Sequence, residues 1–422
     1  MRVLIVNTSE RTGGAAVAAG HLSEALQNSG VRCKMLVRDK QTDRITVVGL
    51  PGRWWPLWCF LWERLVLWLH LRLRRRHLFE IDTASMGYDI TGLPEFREAD
   101  IIHLHWINQG MLSLRGIEKI LASGKPVVWT MHDIWPATAI CHVALDCRRF
   151  ETGCCHCPLL PGGGGENNLA ARTWRRKRRV LRAGQVTFVA CSEWLAGEAR
   201  KSALLAGHRV YNIPNPIDTR VYCPGDRTEA RRRAGLPAEG RIILFASQRV
   251  TNENKGMAYL AEACRLLARQ HPGHRDGTYV AILGGHAEEL ACQLPFDACP
   301  LGYVNDERRI VDIYRAADVF VLPSLSENLP NTIMEAMACG VPSVAFRTGG
   351  VAEEIDHLRT GYVADYRSSE DLCRGIWWAL HEADTKAVAS ACLAKVARCY
   401  SQQSVARSYL EIYENICSNH HV

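Results

Sequence analysis

An α/β fold of two successive doubly wound, parallel-sheet domains is what this sequence predicts, and three observations carry that expectation. The chain has 422 residues, too many for one ordinary domain and suited to two of about 200 each. Short apolar runs rich in Val and Ile recur between longer polar stretches of helical character. That is the pattern of parallel strands buried on both faces by crossover helices. The alternation occurs twice, before and after 211–226, "YNIPNPIDTRVYCPGD". This stretch is rich in Pro and Asp, has no period, and reads as a linker.

Taken in order, first-half strands are expected at 2–8, 31–38, 100–106, 126–132 and 186–192. Second-half strands are expected at 241–247, 278–285, 318–324 and 342–347. The domains are expected to span 1–214 and 215–400. The start, "MRVLIVNTSE", has no charged region ahead of an apolar core, so it reads as a first strand and not a signal peptide. A composition of 47% hydrophobic and 23% charged residues is that of a soluble globular protein. Seventeen cysteines without a secretory signal point to a reducing, cytoplasmic compartment and not to a disulfide framework. Charge is uneven: residues 1–214 hold 29 Lys and Arg against 18 Asp and Glu, and 215–422 hold 22 against 26. The basic first half suits an anionic partner, such as a lipid head group, a phosphorylated acceptor or nucleic acid.

Three stretches of the first half stand apart. Residues 53–79, "RWWPLWCFLWERLVLWLHLRLRRRHLF", hold five of the twelve tryptophans and end in an arginine cluster. Glu63 and Arg64 make the run too short and too polar to span a bilayer. A helix lying in the membrane interface is expected, the alternative being a buried Trp-rich helix with a solvated end. The second stretch, 172–182 "RTWRRKRRVLR", is either a solvated helix face or a contact for anionic lipid or a phosphorylated acceptor. No RNA- or DNA-binding motif accompanies it. The third holds Cys141, Cys147, Cys154 and Cys157, spaced C-x5-C-x6-C-x2-C. Four thiolates suit tetrahedral Zn²⁺, so a structural zinc clip is expected, with free buried cysteines or a disulfide as the alternatives.

The second half carries "SENLPNTIMEAMACG" at 326–340. Pro330 suits a first helical turn and Gly340 a helix stop, so a helix is expected over 331–339. Unpaired amides at its N-terminus form an anion site beside the end of strand 318–324. Glu327 precedes that site and Glu335 lies one turn inside the helix. Together they offer carboxylates for vicinal hydroxyls next to a place for phosphate. Taken alone, the pair also fits a solvated loop Glu and a helix carboxylate favoured by the dipole.

The spacing E-x7-E, followed by "AMACGVPSVAFRTGGVAEEI" and "TGYV", resembles the retaining glycosyltransferases of family 4, which have the GT-B fold. "SQRVTNENKG" is similar to that family's Arg…Lys-Gly element, and "NTSERTGGAAVAAGHLSEAL" to its glycine loop and first helix. The run "DIIHLHWI…WTMHDIWP…C…C…CCHCP" looks like the branch that builds bacterial exopolysaccharides such as colanic acid. The resemblance implies two Rossmann-like domains facing across a cleft, the first for acceptor and the second for donor, with a last helix over 401–420 returning to the first. It implies that Glu335 holds the donor ribose, that Glu327 binds the donor sugar, and that Arg249 and Lys255 bind the diphosphate and stabilise it as it leaves. Leu329, Pro330 and Asn331 would line the same donor site. Gly13 and Gly14 would let backbone approach the phosphate or sugar. His132, ending strand 126–132, would hydrogen-bond the sugar or orient the acceptor, unless it is a satisfied structural histidine. His103 and His105 alternate outward and are less specific.

The reaction implied is transfer of a hexose, with retention, from a UDP- or GDP-linked sugar to a lipid-linked or polysaccharide acceptor at the inner face of the cytoplasmic membrane. No DxD stands at a strand end, so no catalytic metal is expected. Two alternatives remain. One is a zinc-containing nucleic-acid-binding protein, which leaves Glu327, Glu335, Arg249, Lys255 and the glycine loop without a role. The other is a nucleotide-sugar epimerase of the same two-domain fold.

Overall fold

The computed structural model describes residues 1–52 and 54–420; the segment singled out at 53–79 therefore starts, at Arg53, outside the described residues. Two compact units are present. One comprises Met1–Pro216 together with the chain from Val405 onward, and the other Ile217–Ser404.

The first unit is built on seven strands: β1 (Arg2–Ser9), β2 (Arg32–Asp39), β3 (Val47–Gly49), β4 (Ile101–Leu104), β5 (Val127–Met131), β6 (Thr187–Ala190) and β7 (Arg209–Asn212). Their order is β3-β2-β1-β4-β5-β6-β7, and every pairing is parallel. The second unit has β8 (Arg241–Arg249), β9 (Thr278–Gly285), β10 (Asp297–Gly302), β11 (Val319–Leu322), β12 (Ser343–Phe346) and β13 (Gly361–Ala364), ordered β10-β9-β8-β11-β12-β13 and again all parallel. In both sheets the order reverses beside the first strand, β1 or β8. Such a switch point opens a crevice at the carboxyl ends of the strands.

Each strand expected from the sequence is present. The four that the sequence did not signal, β3, β7, β10 and β13, are the four sheet edges. An edge strand is covered on fewer sides, so it needs no continuous apolar run; β7, "RVYN", is exposed or half-buried along its length. The stretch read as linker therefore begins with the end of an edge strand.

Six helices position the residues of functional interest: α1 (Gly14–Asn28), α2 (Trp54–His70), α3 (Leu169–Leu181), α4 (Met257–Gln270), α5 (Asn331–Ala338) and α6 (Gln402–His420). From α6, Val405, Ala406, Tyr409, Ile412 and Tyr413 are buried. The spacing places them on one face, packed with Val3, Ile5, Leu22 and Val128 of the first unit.

That packing corrects the outward reading of His103 and His105. Both are buried. His103 is hydrogen-bonded through Nδ1 to Tyr413 Oη (2.6 Å) and through Nε2 to Thr130 Oγ1 (2.8 Å). Alternation along β4 does put neighbouring side chains on opposite faces. In a doubly wound sheet both faces are covered, and α6, more than 300 residues on, supplies the cover over His103.

Candidate active site

The residues singled out in the sequence collect at strand ends in both units. In the second unit the chain leaves β8 and makes a short 3-10 turn, Glu253–Lys255, closed by Gly256 in the left-handed region (φ 70°). A Cβ on Gly256 would stand 1.8 Å from the carbonyl oxygen of Pro323. Only glycine permits both the conformation and the approach. The Leu325 amide also donates to the Asn254 carbonyl (2.8 Å). The turn is thus pressed onto the chain leaving β11, which brings Lys255 Nζ to Glu327 Oε1 at 2.6 Å. Two side chains 72 positions apart are joined by a backbone contact that lies between them.

α5 follows at once. Pro330 is its N-cap (φ −72°), and no side-chain cap occupies the first turn. The helix ends at Ala338, a residue earlier than expected, and Pro330 stands just outside it. Leu329 is buried and Asn331 half-buried. Glu335 is buried one turn inside, where its Oε2 accepts a hydrogen bond from Tyr314 Oη (2.7 Å). Burial and the Glu335 charge push the Tyr314 phenol well up, so it remains protonated and a donor. Its bond fixes the rotamer of Glu335.

Glu354 is fully buried with neither carboxylate oxygen in a side-chain hydrogen bond among the described residues. Burial pushes its pKa well above the usual range against the pull of Lys395, with Glu327 and Glu335 adding to the rise. Arg249 sits exposed at the end of β8, its Nε donating to Thr251 Oγ1 (3.1 Å). Among the described residues no hydrogen bond or ion pair joins it to Lys255 or Glu327. The structure unites Lys255, Glu327, Leu329, Pro330, Asn331 and Glu335 on two adjoining strand ends, and leaves Arg249 on the rim.

In the first unit β1 runs into the turn 10–13. Gly13 (φ 92°) is the N-cap of α1, and a Cβ on Gly13 or Gly14 would meet nothing within 4 Å. Gly13 is needed for its backbone angle, and both glycines leave open space over the helix N-terminus. Glu10 braces this turn, accepting from the amides of Gln41 (2.6 Å) and Thr42 (2.8 Å). Against its partial burial these bonds, with that of the Thr42 hydroxyl, hold its pKa below the usual value.

His132 follows β5. Its Nε2 is hydrogen-bonded to His105 Nδ1 (2.9 Å), and Cys191 Sγ lies 3.6 Å from its Nδ1. Burial lowers it to about 4 and His103 to about 3, with His105 also well below its ordinary value. The three imidazoles are neutral at pH 7. Asp133 next to them stays ionised, since His142 (Nδ1 to Oδ2, 2.7 Å), the Trp135 amide and Trp106 Nε1 offset its burial. A neutral imidazole can donate or accept a hydrogen bond at a sugar hydroxyl.

Cys141, Cys147, Cys154 and Cys157 lie near one another on the loop after His132, all as free thiols. Burial raises Cys141 to about 12 and Cys154 to about 11, and the other thiols of the loop add to this. Among the described residues no group of three or more His, Cys, Asp or Glu side chains is arranged to hold a metal ion. In the second basic stretch the exception is Lys177. It is buried, donates to the carbonyls of Trp135 and Thr138, and stands 3.2 Å from the centre of the Trp135 ring. Burial lowers it to about 7.

Sequence reasoning missed Glu354, Tyr314, Glu10 and Asp133. Two had a signal: Asp133 directly follows His132, and Glu354 lies within "GGVAEEI". Tyr314 and Glu10 had none, because their partners are distant in sequence.

Two parallel-sheet units with anion-ready helix starts at their switch points define the class: the GT-B architecture of nucleotide-sugar enzymes. Comparison with known proteins agrees. The model of the family described as Glycosyltransferase Family 4 matches residues 12–221, and that described as Glycosyl transferases group 1 matches 240–382. The D-inositol 3-phosphate glycosyltransferase of Acidothermus cellulolyticus is 32% identical over 206 residues, which is 44% of this chain and 45% of that protein. The chain thus spans about half the length of the curated relatives it matches. Among solved structures, sucrose-phosphate synthase from Thermosynechococcus elongatus superimposes with a TM-score of 0.66 at 16% identity, covering 99% of both chains. Anabaena HepE in complex with UDP gives 0.63 at 17% identity, over 98% of this chain and 100% of that one. The chain belongs to the family 4 glycosyltransferases of GT-B fold.

Proposed function

We propose that the protein transfers a hexose, with retention of configuration, from a nucleotide diphosphate sugar to a glycan acceptor. The observation that carries this reading is the Lys255–Glu327 pair at 2.6 Å, set immediately before α5 with Glu335 one turn inside it. The parts divide by charge. The α5 amides and Lys255, with Arg249 swinging in from the rim, meet the diphosphate. Breaking the glycosidic bond places negative charge there, and cations fixed beforehand stabilise that charge without reorganising. Glu327, held in place by Lys255, accepts hydrogen bonds from sugar hydroxyls. Glu335, aimed by Tyr314, accepts from the ribose diol. No side chain in this set is placed as a covalent nucleophile, which suits front-face displacement in which the donor phosphate takes the acceptor proton. In the first unit, the Gly13–Gly14 turn and neutral His132 are the positions we assign to hydroxyl and phosphate contacts.

A uridine nucleotide is the preferred donor, since HepE, which shares the fold, has been solved with UDP and with UDP-glucose. For the acceptor we favour a lipid-linked or polysaccharide glycan at the inner membrane face, in exopolysaccharide assembly. A small phosphorylated acceptor is the second reading, favoured by the names of the curated relatives. Because cations of the chain meet the diphosphate, the reaction needs no divalent metal.

The test is nucleotide release from UDP-glucose, UDP-galactose, UDP-N-acetylglucosamine and GDP-mannose in EDTA, with the anomer formed read by proton NMR. One UDP sugar should be turned over with its α configuration kept. Inversion, or a strict need for Mg²⁺ or Mn²⁺, refutes the proposed mechanism. Partition of labelled product into organic solvent separates the lipid-linked from the small acceptor.

A further inference from the structure

We propose that α2 and the arginines at its C-terminal end seat the protein on an anionic phospholipid surface. The helix is inside out. Pro56, Cys59, Glu63, Arg64 and Leu67 form its buried face, so the helix turns its Glu and its Arg inward. Glu63 accepts from the amides of Thr83 (3.2 Å), Ser85 (3.3 Å) and Gly110 (3.0 Å). Arg64 pairs with Asp82 at 2.8 Å. Burial, with Asp82 beside it, holds the Glu63 carboxyl well above the usual range, while Asp82 is kept ionised by the bond from Glu63 and by Arg64. Gly110 (φ 81°) allows the closest approach: a Cβ there would lie 2.6 Å from the Phe60 backbone nitrogen. A network with this many partners fixes which face of the helix points in.

The consequence is an outward stripe of Trp54, Trp58, Leu61, Trp62, Leu65 and Leu69, all exposed, Trp54 at 78%. Among the described residues of the first unit, none covers it. A monomeric soluble protein rarely shows a contiguous apolar face of this kind without a partner for it.

Charge says which partner. Arg72, Arg74, Arg75 and Arg76 follow the helix directly and are exposed. Arg172 of α3 reaches the same end, its guanidinium 3.4 Å from His70 Nε2, and α3 turns further arginines outward while burying Trp174 and Lys177. Of the acidic residues in 54–80, Glu63 is buried and Glu80 is paired with His77 at 2.6 Å. Tryptophan prefers the head-group level of a bilayer and arginine clusters attract anionic lipid, so the two features point to one surface. α2 lies on the bilayer and does not cross it. Seventeen residues extend about 25 Å, short of the hydrocarbon core, and no helix among the described residues is long and apolar enough to cross.

Seating of this kind depends on the α2 surface alone, not on the donor or the acceptor, and its test involves no transfer reaction. The full chain is mixed with vesicles of phosphatidylcholine, with or without phosphatidylglycerol, and bound protein is measured by flotation. Wild type should bind the anionic vesicles, with a blue-shifted tryptophan emission that reverses in high salt. Trp58→Glu with Leu61→Glu should abolish binding. Arg74→Glu with Arg75→Glu should weaken it at least tenfold, taking about fivefold for each arginine lost. Circular dichroism and UDP binding unchanged in both variants show that folding and the donor site are intact. Absence of vesicle binding by wild type overturns the proposal. So does a concentration-dependent dimer lost in Trp58→Glu/Leu61→Glu, which would make the stripe an interface between copies of this chain.

Discussion

Glu327 and Lys255 look like a surface ion pair, and as a source of stability they are a weak one. Lys255 is nearly a third exposed, and pairs of that kind contribute under about 1 kcal/mol. Their value lies in placement. Removing the Glu327 charge while keeping its shape should therefore separate activity from folding. Glu327→Gln should lower kcat by about 10²–10³, the range found when one preorganised hydrogen-bond partner of the transition state is removed, while shifting the melting temperature by less than about 2 °C. A steady-state assay beside a thermal melt checks both, and an equal loss in the two would mark the pair as structural. At this scale the sequence was readable where spacing within one segment sets placement: Glu327 and Glu335 were expected beside the end of strand 318–324, and they stand just before α5 and one turn inside it. It was silent on the burial of Glu63 and Arg64. They look like interruptions of an apolar run, because their partners Asp82, Thr83 and Gly110 lie 18 to 47 positions away. The cysteine loop lies between these cases: its clustering was legible, but the side-chain arrangement was not.

At the scale of elements, the packing of α6 against β4 and β5 has a pH signature. His103 and His132 are held neutral, at about 3 and about 4, whereas in the unfolded chain each titrates near about 6.5. Between these values the unfolded state binds protons that the folded state refuses. Stability is thus complete above about pH 6.5 and falls as pH drops, by about 1.4 kcal/mol per pH unit for each histidine. Thermal unfolding followed from neutral pH into mild acid should show the melting temperature dropping below about pH 6.5. His103→Gln should make the fall shallower; an unchanged slope would mean that His103 is not buried beneath Tyr413. Central strands were legible for the same reason these histidines are buried: cover on both faces demands long apolar runs. The edges β3, β7, β10 and β13 lack that demand and left no trace in the pattern.

On the scale of the whole molecule, the sequence displays two doubly wound halves because each repeats one alternation around its own core. It shows less well that the chain from Val405 onward completes the first unit. That attachment depends on Tyr409 and Tyr413, whose partners Thr130 and His103 lie 279 and 310 positions earlier. Most depends on whether the second unit holds a nucleotide by α5 and Glu335. The melting temperature of wild type and Glu335→Ala, taken in EDTA with UDP, GDP or ADP, decides it. A nucleotide at about a hundred times its Kd stabilises the folded state by about 2.7 kcal/mol, a rise of several degrees. That rise is expected with UDP in wild type, with most of it lost in Glu335→Ala. No response to any nucleotide, or an equal response in the variant, would contradict a donor site built on α5 and Glu335.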